Sequence, residues 1–152
     1  MFNIMELYRY TIRLDPRTKK NHQKIAGIGS RCPVCKKPAR QFIRQSTAND
    51  KYNFEAVRFL HPRPENPLDG PVSVKYHFYM QTRRKVDECN LTAEVDDLLV
   101  NAGIISDDNS KVLIHHDGTR VFYDKSNPRT EIWIYEYKEE EDEQKPDGFQ
   151  NR

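Results

Sequence analysis

Cysteine, tryptophan and long apolar runs are all scarce in this sequence. Three cysteines are too few for a full disulfide framework, which points to a reducing, intracellular setting. No stretch approaches the ~20 consecutive apolar residues of a membrane-spanning helix, so no membrane partner is expected. The opening residues, MFNIMELYRYTIRL, alternate apolar and polar side chains and lack the apolar centre of a secretory signal. Only 36% of residues are hydrophobic against 32% charged, so the expected core is modest and the loops long and polar. No internal repeat is present. Against these shortages stand seven Phe and eight Tyr, whose large buried areas argue against disorder. A length of 152 residues suits one domain, and a cytoplasmic single-domain protein is the expectation.

The formal net charge of +2 conceals an asymmetry. Residues 1–63 carry 14 Lys/Arg against 4 Asp/Glu, residues 64–137 carry 8 against 13, and residues 138–152 carry 3 against 6. A basic first half suits a polyanion such as nucleic acid. An acidic second half offers oxygen ligands to divalent cations. The same bias also fits ordinary solvated faces.

Residues 6–14 set Tyr8, Tyr10, Ile12 and Leu14 against Leu7, Arg9, Thr11 and Arg13, which predicts a half-buried strand ended by Asp15-Pro16. A basic loop from Arg17 to His22 follows, and Ala26 to Lys37, rich in Gly, Cys and Pro, reads as irregular. Tyr52, Ala56 and Phe59 predict an amphipathic helix over residues 49–60, stopped by His61-Pro62. The clearest strand is Pro71 to Gln81, with Val72, Val74, Tyr76, Phe78 and Met80 on one face. Leu91, Val95, Leu98, Leu99 and Ala102 form the apolar stripe of a helix closed by Gly103. Lys111 to His115 and Arg120 to Tyr123 flank His116-Asp117-Gly118-Thr119, where Asp-Gly predicts a hairpin. Residues 131–137 alternate as a last strand, and strand aromatics are expected in the core rather than as base-stacking platforms. The expected architecture is α+β: one domain over residues 1–137, a mostly antiparallel or mixed sheet, and a central helix carrying an acidic site. Residues 138–152 read as a disordered acidic tail.

The chemistry concentrates between Arg83 and Lys111. Asp87 lies where the strand gives way to the helix, close enough to cap it. Asn90, Glu94, Asp97 and Asn101 recur at helical spacing beside the apolar stripe, so Glu94 and Asp97 can point where Asp87 points. Asp107-Asp108 open the segment into the next strand. Carboxylates from a strand end, a helix face and a loop can converge on one spot. Mg²⁺ takes oxygen ligands and keeps several waters, so two or three carboxylates suffice to hold it. Bound there, it activates water for phosphate hydrolysis. The plain alternative is that Asp87 only caps, Glu94 and Asp97 face solvent, and Asp107-Asp108 make a turn.

These residues, with Pro16-Arg17-Thr18-Lys19-Lys20-Asn21 upstream, resemble the RusA family of Holliday junction resolvases over most of residues 6–137. The family pattern runs from a basic stretch through Asp-x-Asp-Asn-Leu, Asp-x-Leu and Ala-Gly to Asp-Asp. Here it reads Arg83-Arg84-Lys85, then Asp87, Asn90 and Leu91, then Asp97 and Leu99, Ala102-Gly103, and Asp107-Asp108, with long insertions between Ile25 and Gln45. The resemblance implies a homodimer that uses Mg²⁺, or Mn²⁺, to nick two strands symmetrically across a four-way junction in phage or prophage recombination and repair. It implies Asp87 and Asp108 as metal ligands with Asp107 close by, and Asn90, Glu94 and Asp97 as further members of the site. Lys19, Lys20, Asn21, Arg83, Arg84 and Lys85 would hold DNA, through phosphate contacts that supply affinity and position rather than base reading. Two positions depart from the pattern. Cys89 stands where the second Asp belongs, and Thr92 and Ala93 stand where a basic residue is expected. A thiol is a poor ligand for Mg²⁺. Compensation by Glu94 is the working expectation, and a junction-binding protein without cleavage is the rival.

Cys32-Pro33-Val34-Cys35 is a Cys-x-x-Cys knuckle of the kind that holds one side of a tetrahedral zinc. His22 is a candidate third ligand, with His61 or a dimer mate as the fourth. The alternatives are a knuckle that binds nothing and a zinc-knuckle interaction module. His115 and His116 point to opposite faces if they share a strand, so at most one can join a given site.

Overall fold

The structure is a computed structural model and describes residues 5–18, 24–27, 29–38, 40–44 and 47–138. Its elements in chain order are β1 (Glu6–Ile12), β2 (Lys24–Ala26), β3 (Phe42–Arg44), α1 (Thr47–Ala56), β4 (Val72–Met80), α2 (Glu88–Asn101), β5 (Leu113–His115), β6 (Arg120–Tyr123) and β7 (Arg129–Glu136). A 3₁₀ turn, Val57–Phe59, extends α1. The architecture is α+β: one mixed five-stranded sheet with two helices, and a separate pair, β2 and β3. Among the described residues no helix is long and apolar enough to cross a membrane.

β7 lies between β1 and β4 and is antiparallel to both. The register aligns the inward residues across the sheet: Tyr10 faces Ile132, Ile132 faces Tyr76, and Ile134 faces Val74. Every second residue of β4, from Val72 to Met80, is buried, as its period-two pattern demands. These side chains join Leu91, Val95, Leu98, Leu99 and Ala102 of α2, with Tyr52 and Ala56 of α1, in one core. Asn49, Tyr52 and Ala56 recur at helical spacing and are the buried residues of α1.

The segment after β4 departs from expectation. β5 and β6 are not arms of a hairpin. Both run parallel to β4 along the same edge, β5 beside Val72 and Ser73, β6 beside His77 to Met80. They are two pieces of one edge strand, separated where His116-Asp117-Gly118-Thr119 leaves the strand line. Gly118 takes φ +78, Thr119 donates its N–H to the His116 carbonyl at 3.2 Å, and the Thr119 hydroxyl accepts the Tyr76 N–H at 3.1 Å. Asp-Gly serves as a turn here, but the Thr119 side chain fills the gap in the ladder and the chain resumes its direction.

The strand aromatics divide between the two faces. Tyr10, Tyr76 and Phe78 are buried in the core. On the opposite face His77, Tyr79, Trp133 and Tyr135 are half-buried and Phe122 is 38% exposed. Lys75 sits 4.3 Å over Trp133, and Arg129 sits 3.6 Å over Tyr79. The expectation of core aromatics therefore holds for one face only, because β4 and β7 carry aromatic residues in both phases of their alternation.

Candidate metal centre and basic surface around the second helix

α2 begins where Asp87, extended at φ −91 and ψ 116, turns its carboxylate back over the first turn. Its Oδ1 accepts the Cys89 N–H at 3.1 Å and its Oδ2 accepts the Asn90 side-chain amide at 3.1 Å. Asp87 is thus an N-cap with both oxygens engaged, and the residue is exposed. Cys89, in the first turn, is also exposed.

The acidic residues of α2 go to three different places. Glu94 is only 2% exposed and accepts the Asn49 side-chain amide at 3.4 Å, so it lies in the contact with α1. Asp96, which the sequence did not single out, is the second buried carboxylate. Tyr76 donates its hydroxyl to Asp96 Oδ1 at 2.7 Å, and His116 Nε2 lies 3.0 Å from both oxygens. Burial, and then the Asp96 charge, push the Tyr76 phenol well above its ordinary value. Asp97 is half-buried on the outer side. It follows Asp87 by ten residues in sequence, about 15 Å along the helix axis at ~1.5 Å per residue.

Past the helix, Gly103 at φ +71 reverses the chain, and Ile104 and Ile105 drop into the core. A bridge from Ile105 to Leu68 and the 2.6 Å bond from Ser106 to Asp69 fix the next residues at the surface. There Asp107 accepts the Asn109 side-chain amide at 2.6 Å and the Asp108 N–H at 2.8 Å, which hold its carboxyl below the ordinary range. Asp108 moves the other way. Partial burial, contact with Asp107 and the charges of Asp97 and Asp107 raise its carboxyl. Asp107 and Asp108 are joined by a hydrogen bond and feel the Asp97 charge, while Asp87 is paired with Asn90 at the helix start. Among the described residues, no three His, Cys, Asp or Glu side chains are grouped so as to hold a metal ion.

Arg83, Arg84 and Lys85 are all exposed between β4 and Asp87. Arg84 donates to the Pro16 carbonyl at 3.1 Å and lies 3.7 Å from Asp15, while Asp15 also accepts the Gln81 N–H at 2.8 Å. The Asp15 side chain thus ties the end of β1 to the end of β4, and Arg17 and Thr18 continue from there. Arg83 stacks 4.3 Å over Tyr123. Lys19, Lys20, Asn21 and His22 lie outside the described residues, as do the sequence-predicted tail residues 139–152.

The Cys-x-x-Cys segment forms a closed turn between β2 and β3. Arg31 bridges Pro38, Cys32 N–H donates to the Lys37 carbonyl at 2.9 Å, and Lys36 N–H returns to the Cys32 carbonyl at 3.0 Å. Lys36 accepts a left-handed φ of 59 to close it. The Cys35 N–H points at Cys32 Sγ, 3.4 Å away, and the amides of Cys35 and Val34 pull the Cys32 thiol below its ordinary value. Gly27 permits the two arms to approach, since a Cβ there would lie 2.7 Å from the Arg40 carbonyl oxygen.

Asp96, and its grouping with Tyr76 and His116, were missed by sequence reasoning, but a signal was present. An inward-facing tyrosine needs a partner for its hydroxyl, and Asp96, three residues before Leu99, borders the apolar stripe. No protein-family model matches the chain, and no curated protein is similar to it at a significant level.

Proposed function

We propose that this chain is a RusA-like, Mg²⁺-dependent endonuclease, acting in the cytoplasm as a homodimer that cuts four-way DNA junctions by paired nicks. The observation that supports the reading is that Asp107 and Asp108 stand side by side at the exposed surface past α2, where the Asp108 N–H donates to Asp107. These are hard oxygen donors with excess negative charge at an exposed surface, a donor set suited to a divalent cation that keeps most of its waters. Asp107 and Asp108 are the residues proposed to hold Mg²⁺, with Asp97 beside them and Asp87 at the other end of α2. Bound there, the ion supplies an activated water and neutralises charge on the phosphate. Arg83, Arg84 and Lys85 hold the DNA backbone by charge, with Lys19, Lys20 and Asn21 assigned the same role from the family pattern. Asn90 and Glu94 act through position: Asn90 orients the Asp87 carboxylate, and Glu94 fixes α2 against α1.

A second reading, a DNA-binding protein without cleavage, is favoured by one observation: among the described residues no three His, Cys, Asp or Glu side chains are grouped so as to hold a metal ion. The experiment that separates the two uses a synthetic four-way junction with Mg²⁺ or Mn²⁺. The nuclease reading expects paired nicks in the junction, none in linear duplex, and a loss of about 100-fold or more in Asp108→Asn. Tight, salt-sensitive binding without nicks in either metal would replace it with the second reading.

A further inference from the structure

We propose that the turn between β2 and β3 is half of a zinc site, and that two copies of this chain complete it, each contributing Cys32 and Cys35. The inference is independent of the nuclease reading, which requires no zinc.

A structural zinc site takes four ligands in a tetrahedron and leaves no position open. The turn supplies two. Its backbone is already closed by the Cys32 N–H to Lys37 and Lys36 N–H to Cys32 bonds and by the left-handed Lys36. The Cys35 amide aimed at Cys32 Sγ is a donor that favours a sulfur carrying negative charge, the form that binds metal. Among the described residues nothing adds a third His, Cys, Asp or Glu to the pair. The tip also stands away from the core: Cys35 is exposed, Cys32 half-buried, and Val34 88% exposed. The thiols are therefore presented outward, where another molecule can meet them.

A Cys-x-x-Cys pair is its own complement under a two-fold axis, which is the commonest symmetry of protein oligomers. Two such pairs make a Cys₄ site, and four thiolates around Zn²⁺ leave an excess of two negative charges. The surrounding residues answer that charge. Arg31, Lys36 and Lys37 are exposed on the turn, and no acidic residue lies between Arg31 and Arg40. Without metal, two such basic tips repel each other, so zinc and association should appear together.

The test uses the full chain under reducing conditions with Zn²⁺ as the probe. Zinc content is measured by mass spectrometry and molecular mass by sedimentation, before and after chelation. The expected result is one zinc per two chains, an association step lost on chelation, and, with Co²⁺, the thiolate charge-transfer bands of a four-sulfur site. Cys32→Ser with Cys35→Ser should abolish both zinc and that step while unfolding at the temperature of the chelated wild-type chain. One zinc per chain without a change of mass, with His22→Ala releasing it, would overturn the proposal in favour of a site within one chain. Absence of bound zinc, or a zinc-dependent association step that the serine variants leave unaffected, would overturn it outright.

Discussion

Among single residues, the Tyr76–Asp96–His116 group, with Tyr76 and Asp96 buried, has the clearest energetic consequence. Asp96 is 8% exposed and receives the Tyr76 hydroxyl at 2.7 Å and the His116 ring at 3.0 Å. Asp96→Ala strands a buried hydroxyl and should lower stability by ~2–3 kcal/mol in urea unfolding, whereas Asp96→Asn keeps an acceptor for Tyr76 and should cost less. Equal losses in the two variants would mean that charge, rather than hydrogen bonding, holds the group together. Residues of this kind were hard to read from sequence because their partners come from distant elements. Asp96 and Asp97 are neighbours in the chain, yet Asp96 is buried against Tyr76 of β4 and Asp97 is half-buried. Periodicity placed Glu94, Asp97 and Asn90 on one stripe. It did not show that α1 covers the Glu94 part of that stripe and buries it.

At the scale of elements, α2 depends on how its two ends are finished. Asp87→Ala removes the N-cap and should cost ~1 kcal/mol, while Asp87→Ser retains a capping oxygen and should cost little. If Asp87 joins the metal site as the family pattern has it, both variants lose junction cutting, so urea unfolding and cleavage measured together separate the structural role from the chemical one. Retained cutting in the stable Asp87→Ser variant would remove Asp87 from the metal site. Most elements were legible because their patterns are local. The inward residues of β4 and the apolar stripe of α2 were assigned correctly from period alone, and the buried face of each appears in the core. The pairing of β5 and β6 was not legible. Asp-Gly reports a turn, but only the partner strand decides whether the chain reverses or resumes, and that partner is β4, some forty residues earlier.

For the whole molecule, the buried tyrosines set an alkaline limit to stability. Burial pushes Tyr10 up to about 12 from 10.0, and raises Tyr52 and Tyr76 as well. A raised folded value means that the folded state keeps protons the unfolded chain releases. The stabilisation is complete below the unfolded value of 10.0 and fades as pH climbs through the folded values. Unfolding free energy should therefore fall steadily above pH 10, with most tyrosinate absorbance from these three appearing only on unfolding. Tyrosinate appearing in full while the fold persists would contradict their burial. The α+β class and the mixed sheet were foreseeable at this scale, since strands and helices alternate without repeats. The sheet's two edges behave differently. β1 is one strand with a register irregularity between Glu6 and Tyr8, whereas the β5–β6 edge is split in two where His116–Thr119 steps out of line. A stray strand approaching that side finds no continuous row of amides and carbonyls to copy, so the edge is a poor template for sheet extension into fibrils. The excursion that carries His116 to Asp96 thereby also limits aggregation along the sheet's parallel side.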